Sequence, residues 1–251
     1  MAEVGTQLYL GSTQINAAGL YFSDKLVSIN PFSAAVAETI PTNGLQMWLD
    51  PTTYTSSGSV WLASYGNGTG SFTGSYAYSG SNFFNYPQAT KLNFSTTSGS
   101  LDYSATQNTI FVVGRASGSG GVGTVGRLLT AKGNNWLMGT YSAGGNNYMR
   151  AYDPGGVAGF FDTTFDNAWR VHTGIWQNST SASYYVNGAF VTTLTDPGYG
   201  GRVGPNIPCI NDIGGENGQG DLGDVIIYNR VLSNAEITTV YNVIKGKYGL
   251  T

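Results

Sequence analysis

Apolar and polar positions alternate in short runs along most of this chain, and each run is closed by Gly, Ser or Asn. From Gly44 onward GLQMWLD, SVWLASY, KLNFS, NTIFVVGRA, RLLTAKG, WLMGTYS, YMRAYD, WRVHTGIWQ, SASYYVNGAFVTTL and DVIIYNR follow one another. Runs of this length, rich in β-branched and aromatic residues and bounded by turn formers, predict strands. About a dozen of them at this spacing predict a β-sandwich or jelly roll. Regular strand–helix alternation is missing, which argues against a parallel α/β sheet. One hairpin can be placed closely, because Asn187-Gly188 suits the two positive-φ positions of a type I′ turn. That register pairs Val186 with Ala189, Tyr185 with Phe190 and Tyr184 with Val191.

The period changes once, near the C-terminus. Ile237, Val240, Tyr241 and Ile244 fall at i, i+3, i+4 and i+7, the single apolar stripe of an amphipathic helix. Ser233 and Glu236 have the spacing of a capping box, and Leu232 and Ile237 that of a hydrophobic staple. Lys245 and Lys247 suit the negative end of the helix dipole, and Gly249 a C-terminal stop. The helix is expected to lay its stripe on the sandwich, over a sheet edge or an open end.

The first 41 residues have a different character. GTQLYLGSTQI and AGLYFSDKLVSI are short apolar runs, too short to fold alone, followed by Pro31 and Pro41. They predict an extended arm (1–41) that packs on a partner or adds an edge strand to a neighbour, ahead of a sandwich domain (42–251). Its candidate anchoring residues are Leu8, Tyr9, Leu10, Ile15, Leu20, Tyr21, Phe22, Leu26 and Ile29.

Two resemblances follow from these motifs. GDLGDVIIYNRVLSNAEITTVYNVIKGKYG resembles the closing strand and helix of LamG-like, concanavalin A-like jelly rolls, where a Gly-Asp-rich turn leads to a Tyr-Asn-Arg strand end and a short helix. GLQMWLDP looks like the first strand of that domain, and ASYYVNGAFV like its Tyr-Val-Asn/Asp-Gly hairpin. The resemblance implies an all-β, LamG-type jelly-roll β-sandwich over about 42–250, closed by one C-terminal helix. It is silent on function, because this fold serves lectins, glucanases and structural modules alike. The arm segment QLYLGSTQI looks like segments that open structural proteins of tailed bacteriophages. That implies a virion protein, its arm bound to other capsid or tail proteins and its sandwich displayed outward, with capsid decoration favoured over a tail fibre or adhesin. A homo-oligomer on the virion surface goes with it. The competing expectation is a carbohydrate-binding, lectin-like module that recognises host surface glycans.

Composition narrows these choices. Charged residues are 10% of the 251, and 37 glycines and 17 tyrosines stand in the chain. A surface solubilised by Ser, Thr and Asn follows. The formal net charge of −3 and the scattered Lys and Arg leave no basic footprint for nucleic acid. No window is apolar enough for membrane insertion. The first residues carry no basic and hydrophobic leader, so synthesis in a host cytoplasm without a signal peptide is expected. Cys209 is the only cysteine, which excludes an intrachain disulfide.

Candidate chemistry is sparse. His172 is the only histidine, and the alternation of WRVHTGIWQ places it in a sheet rather than in a metal cluster or triad. A retaining glucanase needs two carboxylates about 5 Å apart, yet Glu3, Glu38, Glu216 and Glu236 are the only glutamates and none sits in an acidic triplet. No catalytic residue is assigned, and the chain is expected not to be an enzyme. Gly121, Gly123 and Gly126 fit a dinucleotide-binding fingerprint, but strand-like RLLTAKG follows where a helix is needed. No cofactor is expected beyond a candidate Ca²⁺ at Asp212, Glu216, Asp221 and Asp224, oxygen donors in a turn-rich segment. Glycan binding would call on exposed aromatic platforms and amides. Tyr65, Phe72, Tyr76 and Tyr78 in one long loop, with Asn146, Asn147 and Tyr148, are the candidates, against the plainer role of packing their loops.

Overall fold

A computed structural model describes residues 8–10, 13–15, 21–22, 25–26, 39–54, 59–66, 68–80, 82–87, 89–96, 107–116, 127–132, 136–143, 146–152, 163–164, 167–178, 181–195, 207–212 and 217–251. The chain divides into two units, Met1–Glu38 and Thr39–Thr251. In the first, Leu8–Leu10 pairs antiparallel with Thr13–Ile15, and Tyr21–Phe22 with Lys25–Leu26. The side chains of the candidate anchoring residues lie outside the described residues, and Leu20 and Ile29 do so entirely. Ile40, read from sequence as part of the arm, is buried in the second unit.

The second unit is built on two antiparallel sheets. One runs Ala189–Thr195, Ser181–Val186, Arg170–Asn178, Asn108–Ala116, Gly220–Tyr228, Phe84–Tyr86, Ala77–Tyr78, with Leu45–Leu49 also pairing Gly220–Tyr228 and carrying Tyr65–Gly66 on its far side. The other runs Thr163–Thr164, Asn146–Tyr152, Leu137–Ala143, Leu129–Lys132, Ile207–Ile210, Lys91–Thr96, Gly68–Thr73, Val60–Leu62. Non-local pairing of this kind is what a jelly roll requires. Leu129–Lys132, in the stretch after the glycine fingerprint, is strand, so the helix that a dinucleotide site needs is not there.

Side-chain alternation sorts the apolar residues into two cores. Met47, Leu49, Trp61, Phe84, Leu92, Ile110, Val112, Val225 and Ile227 meet between the sheets. Phe111, Val113, Ile226 and Tyr228 point the other way and pack under the helix Asn234–Lys245. This explains why NTIFVVGRA and DVIIYNR read as continuous apolar runs: their strands are covered on both faces. A register shift between Ile227 and Tyr228 sends Leu45 to the helix side while Met47 and Leu49 stay between the sheets.

The helix forms as its residues dictate. Ser233 accepts from the Glu236 backbone N–H while Glu236 accepts from that of Ser233, and Ile237, Val240, Tyr241 and Ile244 are the buried positions. Leu232 and Ile237 are buried in one cluster. Its place differs from the expectation of a sheet edge or an open end. The stripe covers the outer face of the larger sheet, because that face carries the apolar residues left over from the central core. Glu236 has a second partner in Arg230 at 2.5 Å, which holds its carboxyl down at about 2.

The Asn187-Gly188 turn has the positive φ values, 50° and 73°, that its sequence predicted. The pairs Val186–Ala189 and Tyr185–Phe190 are present, but Tyr184 meets Thr192 and not Val191. A bulge inserts one residue there, a local irregularity that turn chemistry cannot foretell. Gly188 is required twice over, since a Cβ would also stand 2.8 Å from Cδ1 of Tyr241 on the helix.

Candidate functional site

Three neighbouring strands of the larger sheet place Asn85, Asp221 and Arg115 directly opposite one another. Phe84, Tyr86 and Leu222 fill the core between the sheets, so the residues between or beside them face outward, on the side that carries the helix. Opposed residues on one face lie about 5 Å apart and their side chains must interact. Here they form a chain: Asn85 Nδ2 donates to Asp221 Oδ1 at 2.9 Å, and Arg115 Nε donates to Asp221 Oδ2 at 2.6 Å. Both oxygens of a carboxylate that is nearly covered are thereby satisfied.

The next strand extends the row. Arg170 pairs with Gly114, which brings Trp169, one residue earlier, beside Arg115. The Arg115 guanidinium lies 5.0 Å from the Trp169 ring centroid and 5.8 Å from that of Phe83. Phe83 and Trp169 meet edge to face at 5.4 Å, and Trp169 also touches Tyr248 at 4.8 Å. Trp169 and Phe83 are half-buried, Asn85 is exposed and the Arg115 side chain is 37% exposed. Aromatic faces beside a fixed cation, an amide and a carboxylate form a surface that can stack on a ring and hydrogen-bond its edges.

Beyond Tyr248 lies a second, more covered group. Asp224, 0% exposed, accepts from Tyr248 Oη at 2.6 Å, Trp48 Nε1 at 2.6 Å and Lys247 Nζ at 3.1 Å. Lys247 also reaches Asp50 at 2.7 Å and sits 5.1 Å over the Trp48 ring. Burial pushes the Asp224 carboxyl above its ordinary range, with Lys247 pulling against it. These contacts anchor the residues after the helix to the sheet.

The acidic residues proposed for Ca²⁺ are dispersed among separate cations. Asp212 pairs with Lys91 at 2.8 Å and with Lys132; burial raises its carboxyl, but the two lysines outweigh that and hold it low. Asp221 belongs to Arg115 and Asp224 to Lys247, while Glu216 lies outside the described residues. Among the described residues no three or more His, Cys, Asp or Glu side chains are grouped to hold a metal ion.

The loop aromatics also behave differently from an exposed platform. Phe72 is 5% exposed and stacks on Tyr76 with centroids 4.1 Å apart. Tyr76 and Tyr78 pack against the central core, where the Tyr76 hydroxyl meets that of Tyr54 and the Tyr78 hydroxyl donates to the Pro51 carbonyl. The reason is that Gly68–Thr73 and Ala77–Tyr78 are strands, so part of this supposed loop lines the core. Tyr65 alone of this set is largely exposed, at 41%. Asn146, Asn147 and Tyr148 lie on a strand paired with Leu137–Ala143, and their side chains are outside the described residues.

His172 is buried against the Tyr184 hydroxyl, and burial, aided by the Arg170 charge, holds its imidazole down at about 3. Burial pushes the Cys209 thiol up to about 11, which leaves it inert. Sequence reasoning missed the row. Asn85, Arg115, Trp169 and Asp221 are far apart in the chain, and only the strand order makes them neighbours.

The comparisons agree with this architecture. The family model of the concanavalin A-like lectin/glucanases superfamily matches residues 101–238. The receptor-binding domain of botulinum neurotoxin C/D mosaic serotype superposes with a TM-score of 0.58 at 16% identity, over 80% of this chain and 51% of that one. Trypanosoma rangeli sialidase, solved in complex with sialic acid, gives 0.57 at 15% identity over 81% and 33%. The binding domain of Paraclostridial Mosquitocidal Protein 1 gives 0.57 at 16% identity over 83% and 55%. This chain thus spans about half of the toxin domains and a third of the sialidase, and the likeness is one of fold. No curated protein sequence matches it.

Proposed function

The chain belongs to the concanavalin A-like lectin/glucanases superfamily, and from that membership we propose a non-enzymatic carbohydrate-binding module, its partners surface glycans. The observation that carries the proposal is the Asn85–Asp221–Arg115–Trp169 row, where half-buried aromatic rings flank fixed polar groups on one face of the sheet. Sugars present apolar C–H faces and a rim of hydroxyls, and such a surface matches both. The toxin domain named receptor-binding, and the sialidase solved in complex with sialic acid, share this fold over about half and a third of their chains, which supports the reading.

The non-enzymatic part rests on how the described carboxylates are engaged. Asp212, Asp221 and Glu236 are paired with lysine or arginine, and Asp50 and Asp224 share Lys247. A hydrolytic pair needs one carboxyl kept protonated and another free to attack or to activate water. Virion display is the weaker reading. It drew on the arm segment QLYLGSTQI, whereas the family match lies wholly within the sandwich.

A glycan microarray probed with the full chain tests the proposal. Binding that falls at least several-fold in Trp169→Ala, with the fold retained by circular dichroism, supports it. A chain that binds no sugar, or binds equally well without the Trp169 ring, overturns it.

A further inference from the structure

We infer that the Arg115 end of this row takes a sugar unit bearing a carboxylate. The inference rests on the glycan-binding reading and names the ligand class for the same surface. Arg115 and Asp221 are formally neutral together, but the pair is lopsided in space. The Asp221 side chain is 5% exposed and the Arg115 side chain 37%. The negative end is covered by Asn85 and Arg115, while the positive end faces outward.

The guanidinium is also fixed for the task. Its Nε is committed to Asp221 at 2.6 Å, and its Cζ packs against both the Trp169 and Phe83 rings, 5.0 and 5.8 Å from their centroids, while the two rings touch each other at 5.4 Å. The terminal Nη1 and Nη2 make no hydrogen bond or ion pair with another described residue. A planar fork of parallel N–H donors, already oriented, matches the two oxygens of a carboxylate and gives a charge-assisted bidentate contact. Little side-chain entropy is left to lose on binding, because the neighbouring groups have ordered it. The flanking rings keep water from one side and strengthen the attraction.

Asn85 completes the arrangement. Its Nδ2 is used on Asp221 and on the Gly220 carbonyl, which leaves Oδ1 to accept from a sugar hydroxyl. A neutral sugar would use the Trp169 face and Asn85 but leave the cationic fork unsatisfied. A carboxylated one uses all three.

The test compares three probes on the native full chain: carboxylated oligosaccharides, their carboxyl-reduced counterparts, and sulfated neutral oligosaccharides. A charge-assisted hydrogen-bonded contact is worth about tenfold or more in affinity, so the carboxylated probes are expected to bind at least about tenfold tighter than the reduced ones. Arg115→Gln is expected to remove that difference, and Arg115→Lys, a point charge without the fork, to keep part of it. The native-chain comparison needs no variant and stands if Arg115→Gln fails to fold. Equal binding of carboxylated and reduced probes, both lost in Trp169→Ala, overturns the carboxylate preference and leaves the sugar-binding reading intact. Preference for the sulfated probe overturns it too. Binding to none of the three overturns the sugar-binding reading itself.

Discussion

Lys247 and Asp224 meet at 3.1 Å, the lysine on the turn after the helix and the aspartate inside the sheet with no exposed surface. Asp224 needs this cation. Its two other side-chain donors, Tyr248 and Trp48, satisfy its oxygens but not its charge. Gly223 is small for the same reason, since a Cβ there would collide with the Tyr248 hydroxyl.

Removing the lysine isolates a buried carboxylate. Stranding one partner of a buried pair costs about 3 kcal/mol or more, and the partial exposure of Lys247 moderates this to about 2–3 kcal/mol for Lys247→Met. Urea denaturation measures it. Asp224→Asn in the same chain is expected to return part of the loss, because the stranded charge is then gone. An additive double variant would show that the pair is not coupled.

His172 sets an acid limit. Its imidazole titrates near 3 when folded against an ordinary 6.5. Between those values the unfolded chain binds the proton and the folded chain does not, so stability falls as pH drops through 6.5 and is unaffected above it. The expected loss from this residue alone is about 2 kcal/mol at pH 5. His172→Gln, which keeps an acceptor for Tyr184, is expected to have a lower but flatter denaturation midpoint between pH 7 and pH 5. An unchanged slope in that window would assign the effect to another group.

Phe72 and Tyr65 separate packing from exposure within one segment. Phe72→Ala opens the aromatic cluster of Trp61, Tyr76 and Phe84 and is expected to cost about 3–5 kcal/mol. Tyr65→Ala, on an edge strand with its ring exposed, is expected to change stability by less than about 1 kcal/mol. Thermal denaturation of the two variants decides, and similar losses would mean that Tyr65 packs as Phe72 does.

Much of the fold was legible because its signals are local. The helix could be read from Ser233, Glu236 and the Ile237–Ile244 stripe, since capping and a 3.6-residue period act within a dozen neighbouring residues. The Asn187-Gly188 turn was legible for the same reason, down to the bulge that moved Tyr184 from Val191 to Thr192. The residues proposed for function fared otherwise. Phe72 and Tyr76 were candidates for an exposed platform because they stand in a glycine-rich stretch, with packing as the plainer role, and packing is what they do. Glycines also serve strands whose partners approach closely, and Gly70 stands against Leu92.

The sequence by itself determined the layered β architecture, the closing helix and the superfamily, because each follows from periodicity and from motifs along the chain. It could not say that Asn85, Asp221, Arg115 and Trp169 form one row, nor that Lys247 belongs to Asp50 and Asp224. Those neighbours are made by strand order and register. A shift of one residue in any of the four strands would turn its member of the row into the core and leave the others apart.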